Sequence, residues 1–518
     1  MDIFWECLLA CVTVVVLTDQ VLAVRKPPHI VFIVADDLGW NDVGWHNPEI
    51  LSPNLNRLAR KGVTLESAYA QPACTPSRNA FMTGKYPYHT PLQDVIDPSE
   101  PAFLSDELPI LPERLKALGY STHIVGKWHL GFCNKKYTPT HRGFDSFFGF
   151  YMGSQCHYQH TKPDRILREL SSSVSLFSSI GGTLLRNFVR LHSVGHETGR
   201  DFRFNDSIWR ETEGKYSTHA FADRAIEIIQ RHDPDTPLFL YLPFQAPHSP
   251  ITVPPQYSRL YNHIKSPIRR VYSGMVTALD EAVGNITSAL YEKGLMDNLL
   301  LVFTSDNGGH PYMGGNNIPL RGGKNTIWEG GTRVPTFVYS DTLLRKRRYT
   351  NNEILHAVDW FPTFLEIAGG RREFNIDGVS QWQMISRGRF SSRHEFVYNI
   401  EPSGKGAVRI GNYKLIVGKP GRHNDWYPVP GMKPIKRKRF KGGRFDNVTL
   451  ASDPYLLFNI KDDPSESRDL SRDKPEVLEA LLARYRVLNA TKVEPHRPGR
   501  VAGADPNLYD GFWSPGWC

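Results

Sequence analysis

Cysteine is scarce, and that scarcity limits how the chain can be cross-linked. Six occur in 518 residues. Cys7 and Cys11 fall in an N-terminal apolar run, and Cys74 falls in a motif taken up below. Cys133, Cys156 and Cys518 remain. Three is odd, so at most one intramolecular disulfide forms and one thiol is left over. Cys133 with Cys156 is the expected pair. Long apolar runs are also lacking. Leu8 to Leu17 is too short to span a bilayer, and no later stretch is long and apolar enough. No transmembrane segment is therefore expected. Zinc-finger, helix-turn-helix and RNP patterns are absent, so nucleic acid is not expected as a partner. There are no internal repeats.

At 518 residues the chain exceeds what one core usually holds, which predicts two domains. The first 23 residues read as a secretory signal, with small-residue cleavage near Ala23. The segment before the apolar run carries Asp2 and Glu6 and no Lys or Arg, which is unusual for such a leader. Asn205, Asn285, Asn447 and Asn489 head glycosylation sequons, in keeping with that route. The formal net charge of +9 favours anionic partners.

The periodicity alternates strand and helix. Ile30 to Ala35 is apolar and β-branched, as in a strand buried on both faces, and it ends in Asp36-Asp37-Leu38-Gly39. Leu299 to Ser305 repeats the pattern and ends in Asp306-Asn307-Gly308. Leu238 to Phe244 is a third buried strand, opening into Gln245-Ala246-Pro247-His248. Open α/β sheets bind ligands at the carboxyl ends of their strands. Past residue 393 the pattern changes to short strands near 395–400, 407–410, 413–417 and 455–459, then a helix from Pro475 to Leu488. That reads as a smaller antiparallel sheet with a packed helix.

Cys74 lies in Cys74-Thr75-Pro76-Ser77-Arg78, followed by Thr83-Gly84-Lys85-Tyr86. Together with Gly126-Lys127-Trp128-His129-Leu130-Gly131, this resembles the signature of the type I sulfatases. The Asn316 to Lys324 block, the Trp328-Glu329-Gly330-Gly331 block and the Trp513 to Trp517 end are most similar to the arylsulfatase B branch. The resemblance covers nearly the whole mature chain.

It implies an alkaline-phosphatase-like α/β fold: a large mixed, mostly parallel sheet flanked by helices, plus a smaller C-terminal antiparallel-sheet domain with a helix. The catalytic domain would span 24–393, with an insertion at about 161–200, and the smaller domain 394–518. It implies a sulfuric ester hydrolase in which Cys74 is converted to Cα-formylglycine by a formylglycine-generating enzyme. The aldehyde hydrate is then the nucleophile, and its second hydroxyl provides an easy exit from the covalent stage. Asp36, Asp37, Asp306, Asn307 and the oxygen at position 74 would be metal ligands. Such an all-oxygen set suits Ca²⁺ or Mg²⁺ rather than zinc, and the resemblance favours one Ca²⁺. Arg78, four residues beyond Cys74, would return to the same helix face and hold the nucleophile and the carboxylates. Lys127, Lys324 and His248 would hold the sulfate oxygens, His248 also serving the leaving oxygen. His129 would help remove a proton when sulfate leaves.

The implied substrates are aryl sulfates and sulfated carbohydrates such as the 4-sulfate of N-acetylgalactosamine in a glycosaminoglycan, and the implied destination is the lysosome or the exterior. A catalytically silent glycan-binding protein and a phosphoryl hydrolase of the same superfamily are the alternatives. Two departures bear on substrate: the cysteines do not reproduce the branch's richer disulfide set, and the 161–200 insertion is longer than in relatives. That insertion reads as a surface loop or a basic amphipathic contact. The basic loop 433–444 reads as a solvated loop or a polyanion contact. Arg345-Lys346-Arg347-Arg348 is a further basic run and a conceivable processing site.

Overall fold

The computed structural model describes residues 26–163, 198–427 and 454–518. The expected leader, most of the 161–200 insertion, the basic loop 433–444 and the Asn447 sequon lie outside the described residues.

In chain order, β1 (His29–Ala35) and β2 (Val63–Leu65) precede the two-residue β3 (Ala68–Tyr69), then β4 (Ser121–Lys127) and β5 (Ser146–Phe150). Four short strands follow: β6 (Thr161–Pro163), β7 (Thr198–Arg200), β8 (Arg203–Phe204) and β9 (Ser207–Ile208). The long β10 (Leu238–Pro243) and β11 (Leu299–Ser305) lead to β12 (Phe337–Tyr339), β13 (Tyr349–Asn351) and β14 (Leu355–His356). Ten of these make one sheet, ordered β13-β2-β12-β11-β1-β10-β4-β5-β8-β9. Its centre, from β11 to β5, is parallel, and the pairs of β12 and β8 with their neighbours are antiparallel.

β1 shows why the sheet sits between two helical layers. All seven of its residues are buried. Successive side chains point to opposite faces, so both faces must find apolar cover. Ile30, Phe32 and Val34 enter one core with Phe81, Leu115 and Phe364. These partners come from the helices Cys74–Thr83, Leu111–Ala117 and Trp360–Ile367. Val31, Ile33 and Ala35 enter the other core with Leu55, Ala225 and Val283. Those belong to the helices Pro53–Lys61, Ser217–Arg231 and Pro267–Glu292.

The C-terminal segment forms an antiparallel sheet of β15 (Glu395–Ile400), β16 (Gly406–Ile410), β17 (Tyr413–Val417) and β18 (Tyr455–Asn459), in that order. The Pro475–Asn489 helix supplies Leu481, Leu482 and Tyr485 to its core. Phe396, Val408, Leu415 and Leu457 belong to the same apolar cluster as Ile30 and Phe32, so the two sheets share a core.

One expectation is corrected. Cys133 pairs with Cys518, not with Cys156, across 385 residues of sequence. Closeness in sequence misled, because the chain's end folds back across the large sheet's periphery. Gly516 N–H donates to Cys133 O at 2.7 Å, and Trp517 N–H donates to the same oxygen at 3.1 Å. The Trp517 ring lies edge-on to Phe132, and buried Trp513 donates its indole N–H to Lys162 O at 2.9 Å. Cys156 is a free, half-buried thiol. Of the sequon residues described, Asn285 is exposed on its helix and Asn205 and Asn489 are half-buried.

The disulfide adds a covalent anchor to a terminus that Trp513 and Trp517 also hold by packing. Cys518→Ser should lower unfolding stability by about 2–4 kcal/mol. Backbone amide exchange should rise at residues 511–517 before it rises in β1 or β11. An unchanged melting temperature with a still-protected tail would show that the packing of Trp513 and Trp517 suffices.

Candidate active site

The site follows from strand register. β1 and β11 are parallel, with Ala35 opposite Ser305, so the next residues of both strands emerge side by side. Asp306 N–H donates to Ala35 O at 3.0 Å, which places Asp36 and Asp306 at the same edge. Asp37 then turns the chain with a φ of 64°, in the left-handed region that non-glycine residues seldom occupy. Its backbone is held from several sides. The Tyr272 hydroxyl donates to Asp37 O at 2.7 Å, and Leu38 N–H donates to Ser305 Oγ at 3.1 Å. β4 ends at Lys127 on the same edge, and the loop after β10 brings His248.

Cys74 is the first residue of the Cys74–Thr83 helix, all ten residues of which are buried. A helix start presents free N–H groups and favours an anion. The Cys74 Sγ lies 3.4 Å from Asp36 Oδ1 and 3.4 Å from Lys324 Nζ. One turn on, Arg78 donates through Nε and Nη2 to Asp306 Oδ2 at 3.2 and 2.8 Å. Its Nη1 donates to Lys127 O at 3.1 Å, and its Nη2 lies 3.4 Å from Asp36 Oδ2. Ser77 Oγ donates to Asp306 O and fastens the same turn to the strand end.

Nine of the predicted residues thus converge. Asp36, Asp37, Asp306, Asn307, Cys74, Arg78, Lys127, His248 and Lys324 form one connected cluster. The two lysines lie on carboxylates: Lys127 Nζ is 2.5 Å from Asp36 Oδ2, and Lys324 Nζ is 2.6 Å from Asp37 Oδ1. Asn307 Nδ2 donates to Asp37 Oδ1 at 2.7 Å, while its buried Oδ1 has no partner. His248 Nδ1 donates to Ser249 O, which leaves Nε2 facing Asp37 Oδ2 at 3.6 Å. His129 stands apart. Its Nε2 lies 3.2 Å from Ile96 O, its Nδ1 is buried without a partner, and its backbone oxygen accepts the Thr75 hydroxyl.

Burial and neighbouring charge compete at each group. Burial pushes Asp36 up, but Lys127, His248 and Arg78 outweigh it and hold the carboxyl well below the usual range. Asp306 goes the other way, pushed up to about 6 by burial and the Asp36 charge. Burial and Asp36 push the Cys74 thiol up to about 12. His248 is pushed down to about 4 by burial and Lys324.

The donor set fits a hard divalent cation. Asp36 and Asp37 offer oxygens within 4.8 Å of each other and of Cys74 Sγ and a His248 ring nitrogen. The unpartnered Asn307 Oδ1 beside Asp37 is the kind of orphaned buried acceptor that such an ion satisfies. Among the expected ligands, Asp306 is the most committed to the protein, since Arg78 holds its Oδ2 and Asp37 N–H donates to its Oδ1 at 3.3 Å.

Several nearby residues escaped the sequence reading. His310, three beyond Asn307, is pushed down to about 4 by burial, and the Asp37 and Lys324 charges reach it. Its ring centroid is 4.8 Å from that of His423, and Tyr312 and Tyr427 continue the row at 5.0 and 5.8 Å. Extending the Asp306-Asn307 loop would have found His310 and Tyr312. Nothing in the sequence pattern tied His423 and Tyr427 to it. They belong to the loop after β17, which lies on the Lys324 segment through Gly322 N–H to Asp425 O at 3.0 Å and Trp328 Nε1 to Asn424 Oδ1 at 2.7 Å.

A sulfatase family model matches residues 28–370. Arylsulfatase J of Mus musculus is 40% identical over 512 residues, covering 94% of this chain and 80% of that protein. N-acetylgalactosamine-6-sulfatase of Mus musculus is 29% identical over 500 residues, covering 92% and 88%. Among solved structures, Ps i-CgsB in complex with k-i-k-neocarrahexaose aligns with a TM-score of 0.73 at 26% identity, covering 93% of this chain and 97% of that one. The architecture is alkaline-phosphatase-like, as expected. Family match, relatives and strand-edge cluster agree: the chain belongs to the sulfatase family and is a sulfuric ester hydrolase.

Proposed function

We propose that this enzyme removes sulfate from a sulfated sugar, with position 74 acting as Cα-formylglycine and one Ca²⁺ held by Asp36, Asp37, Asp306, Asn307 and the residue-74 oxygen. The observation that carries the reading is the placement of Cys74, whose Sγ lies 3.4 Å from both Asp36 Oδ1 and Lys324 Nζ. It sits at a helix start inside a charged cluster, where burial and Asp36 push its thiol up. A neutral buried thiol is a poor nucleophile. The position suits a hydroxyl-bearing replacement, not thiolate chemistry. When present, formylglycine supplies that hydroxyl, and the cation polarises the ester and acidifies the hydroxyl.

The chain's own groups divide the remaining work. Arg78 fixes Asp306 and Asp36 and faces position 74. Lys127 and Lys324 are the sulfate-binding cations, drawn from Asp36 and Asp37 toward an anionic ester. His248 Nε2 faces Asp37 and serves the leaving oxygen only from the imidazolium, which the Asp37 carboxylate favours and burial opposes, and His129 Nδ1 is a buried, unpartnered base for the proton lost as sulfate departs. Preorganised donors of this kind each contribute on the order of 100-fold in rate.

The sugar reading rests on the row formed by His310, Tyr312, His423 and Tyr427 beside Lys324. Aromatic faces and imidazole N–H groups suit a pyranose ring and its hydroxyls. N-acetylgalactosamine 4-sulfate in a glycosaminoglycan is the proposed substrate. The similarity to N-acetylgalactosamine-6-sulfatase, and to a structure that holds k-i-k-neocarrahexaose, supports a carbohydrate. The leader and the sequons at Asn205, Asn285, Asn447 and Asn489 support passage through the secretory route, to lysosome or exterior, where a formylglycine-generating enzyme would act.

The deciding measurement is the mass of the tryptic peptide ending at Arg78 from secreted protein. A form lighter than the cysteine peptide and reactive with hydrazine reagents is expected. Only unmodified thiol, from cells that modify a control sulfatase, would overturn the mechanism. Lys324→Ala should lower kcat/KM for p-nitrophenyl sulfate by on the order of 100-fold, and chelation should abolish turnover until Ca²⁺ is restored. Tyr312→Ala and His423→Ala should raise KM for a 4-sulfated chondroitin disaccharide about 10-fold, as expected for one lost sugar contact. Their kcat on p-nitrophenyl sulfate should stay within about twofold of wild type if the row contacts only the sugar.

A further inference from the structure

The basic run at Arg345, Lys346, Arg347 and Arg348 takes no part in the site above, and its position in the fold is informative. All four residues are exposed. The run leads into β13, whose Tyr349 pairs in parallel with Val63 at the start of β2. β2 is antiparallel to β12, and β12 is antiparallel to β11. The run therefore lies at the edge where β1 and β11 begin. Asp36, Lys127 and Asp306 lie where the central strands end. A seven-residue strand separates the two edges by roughly 20 Å.

Backbone contacts gather two more basic segments around the run. Arg345 and Lys346 both donate their N–H to Ser386 O, at 2.8 and 3.0 Å. This brings in exposed Arg387 and Arg389, and a Cβ built at Gly388 would lie 2.7 Å from Lys346 Cδ. Arg348 N–H donates to Gly62 O at 2.6 Å, just past the last helical turn that carries exposed Arg60 and Lys61. Three segments distant in sequence thus contribute two, four and two cations. Among the described residues, these contacts bring few acids. Asp341 is spent on Arg347, Glu353 accepts the Ser391 N–H, and Asp297 approaches through its backbone oxygen. Phe390, next to Arg389, is 88% exposed.

We infer that this patch is a second glycan site, binding a sulfated polysaccharide chain away from the catalytic cluster. Guanidinium forks match sulfate oxygens, and a flexible polyanion can follow cations scattered over three segments. An exposed phenyl ring offers a pyranose its apolar face. A membrane surface fits less well, since no helix of the described residues presents an apolar face beside these arginines and Phe390 stands alone. Only the choice of a sulfated polyanion rests on the function proposed above.

The test uses the full secreted protein on immobilised chondroitin sulfate and heparin, with phosphatidylserine vesicles in parallel. One variant carries Arg387→Ala and Arg389→Ala, and another Lys346→Ala and Arg347→Ala. Each should elute at lower salt and bind chondroitin sulfate on the order of 10-fold more weakly near 0.15 M salt, the difference shrinking as salt rises. Turnover of p-nitrophenyl sulfate should be unchanged. A charge-matched control, Arg259→Ala with Lys293→Ala, should elute as wild type. Unshifted elution of the patch variants, an equal shift in the control, or loss of vesicle binding alone would each overturn the inference. Patch-dependent binding by a wild-type protein that hydrolyses no sulfate ester would leave the patch standing and sink the proposed function instead.

Discussion

Three carboxylates at one edge of a buried sheet are the constraint that the rest of the molecule answers. Asp36, Asp37 and Asp306 are each at most 3% exposed. Parallel register forces two of them side by side, and the left-handed turn adds the third. Uncompensated, such a group would take up protons or unfold its surroundings, because ionised groups are strongly disfavoured out of water. The chain supplies Arg78, Lys127 and Lys324. Each comes from a different element: the Cys74–Thr83 helix, the end of β4, and the loop after residue 318. The need for these cations therefore dictates which helices and loops meet at this edge. An arrangement in which every cation rests on a carboxylate is a neutral ground state. A dication added there would displace the lysines from the carboxylates and free them for an anionic group, as the function proposed above requires.

A second buried polar cluster explains why the smaller sheet belongs to the same machine. Lys414 of β17 contacts Glu329 at 3.1 Å and Glu466 at 2.7 Å, all three fully buried. The Tyr69 and Tyr398 hydroxyls donate to Glu329 at 2.8 and 2.6 Å, and Arg409 donates to Tyr69 at 2.6 Å. Burial pushes Glu466 up to about 7. Glu329 opens the turn five residues after Lys324, so this network ties the Lys324 loop to β15, β16 and β17. Removing one member would strand a buried charge, a loss of roughly 3–5 kcal/mol for such pairs. His423 and Tyr427, of the loop after β17, belong to the lobe held by the same attachment.

Much of this was legible in the sequence where one strand carries its own answer. The apolar runs ending in Asp36-Asp37 and Asp306-Asn307 gave both the parallel centre of the sheet and the acids at its edge. The motif around Cys74 gave the helix and the return of Arg78 to the same face. What failed were statements about encounters between distant segments. The Cys133–Cys518 bridge depends on a tail that crosses back over the large sheet. The antiparallel β12 inside a largely parallel sheet has no local signature. That Lys127 and Lys324 rest on Asp36 and Asp37 reflects a summed charge that no single motif encodes. His423 and Tyr427 come from a lobe whose own pattern says only that it is an antiparallel sheet.

The burial of Cys74 also bears on when the conversion proposed at that position could take place. The thiol is 2% exposed, and every residue of its helix is buried beneath other elements. The folded protein offers neither the cysteine nor the side chains that follow it to another protein. The conversion proposed at position 74 would therefore have to precede closure of the Cys74–Thr83 helix onto the sheet. The Arg78–Asp306 contact joins residues 228 apart, so it cannot form until β11 has been made and docked. A long interval between the appearance of the motif and the arrival of its partners is thus built into the chain order. The contacts that bury the cysteine are among the last that the chain order allows to form.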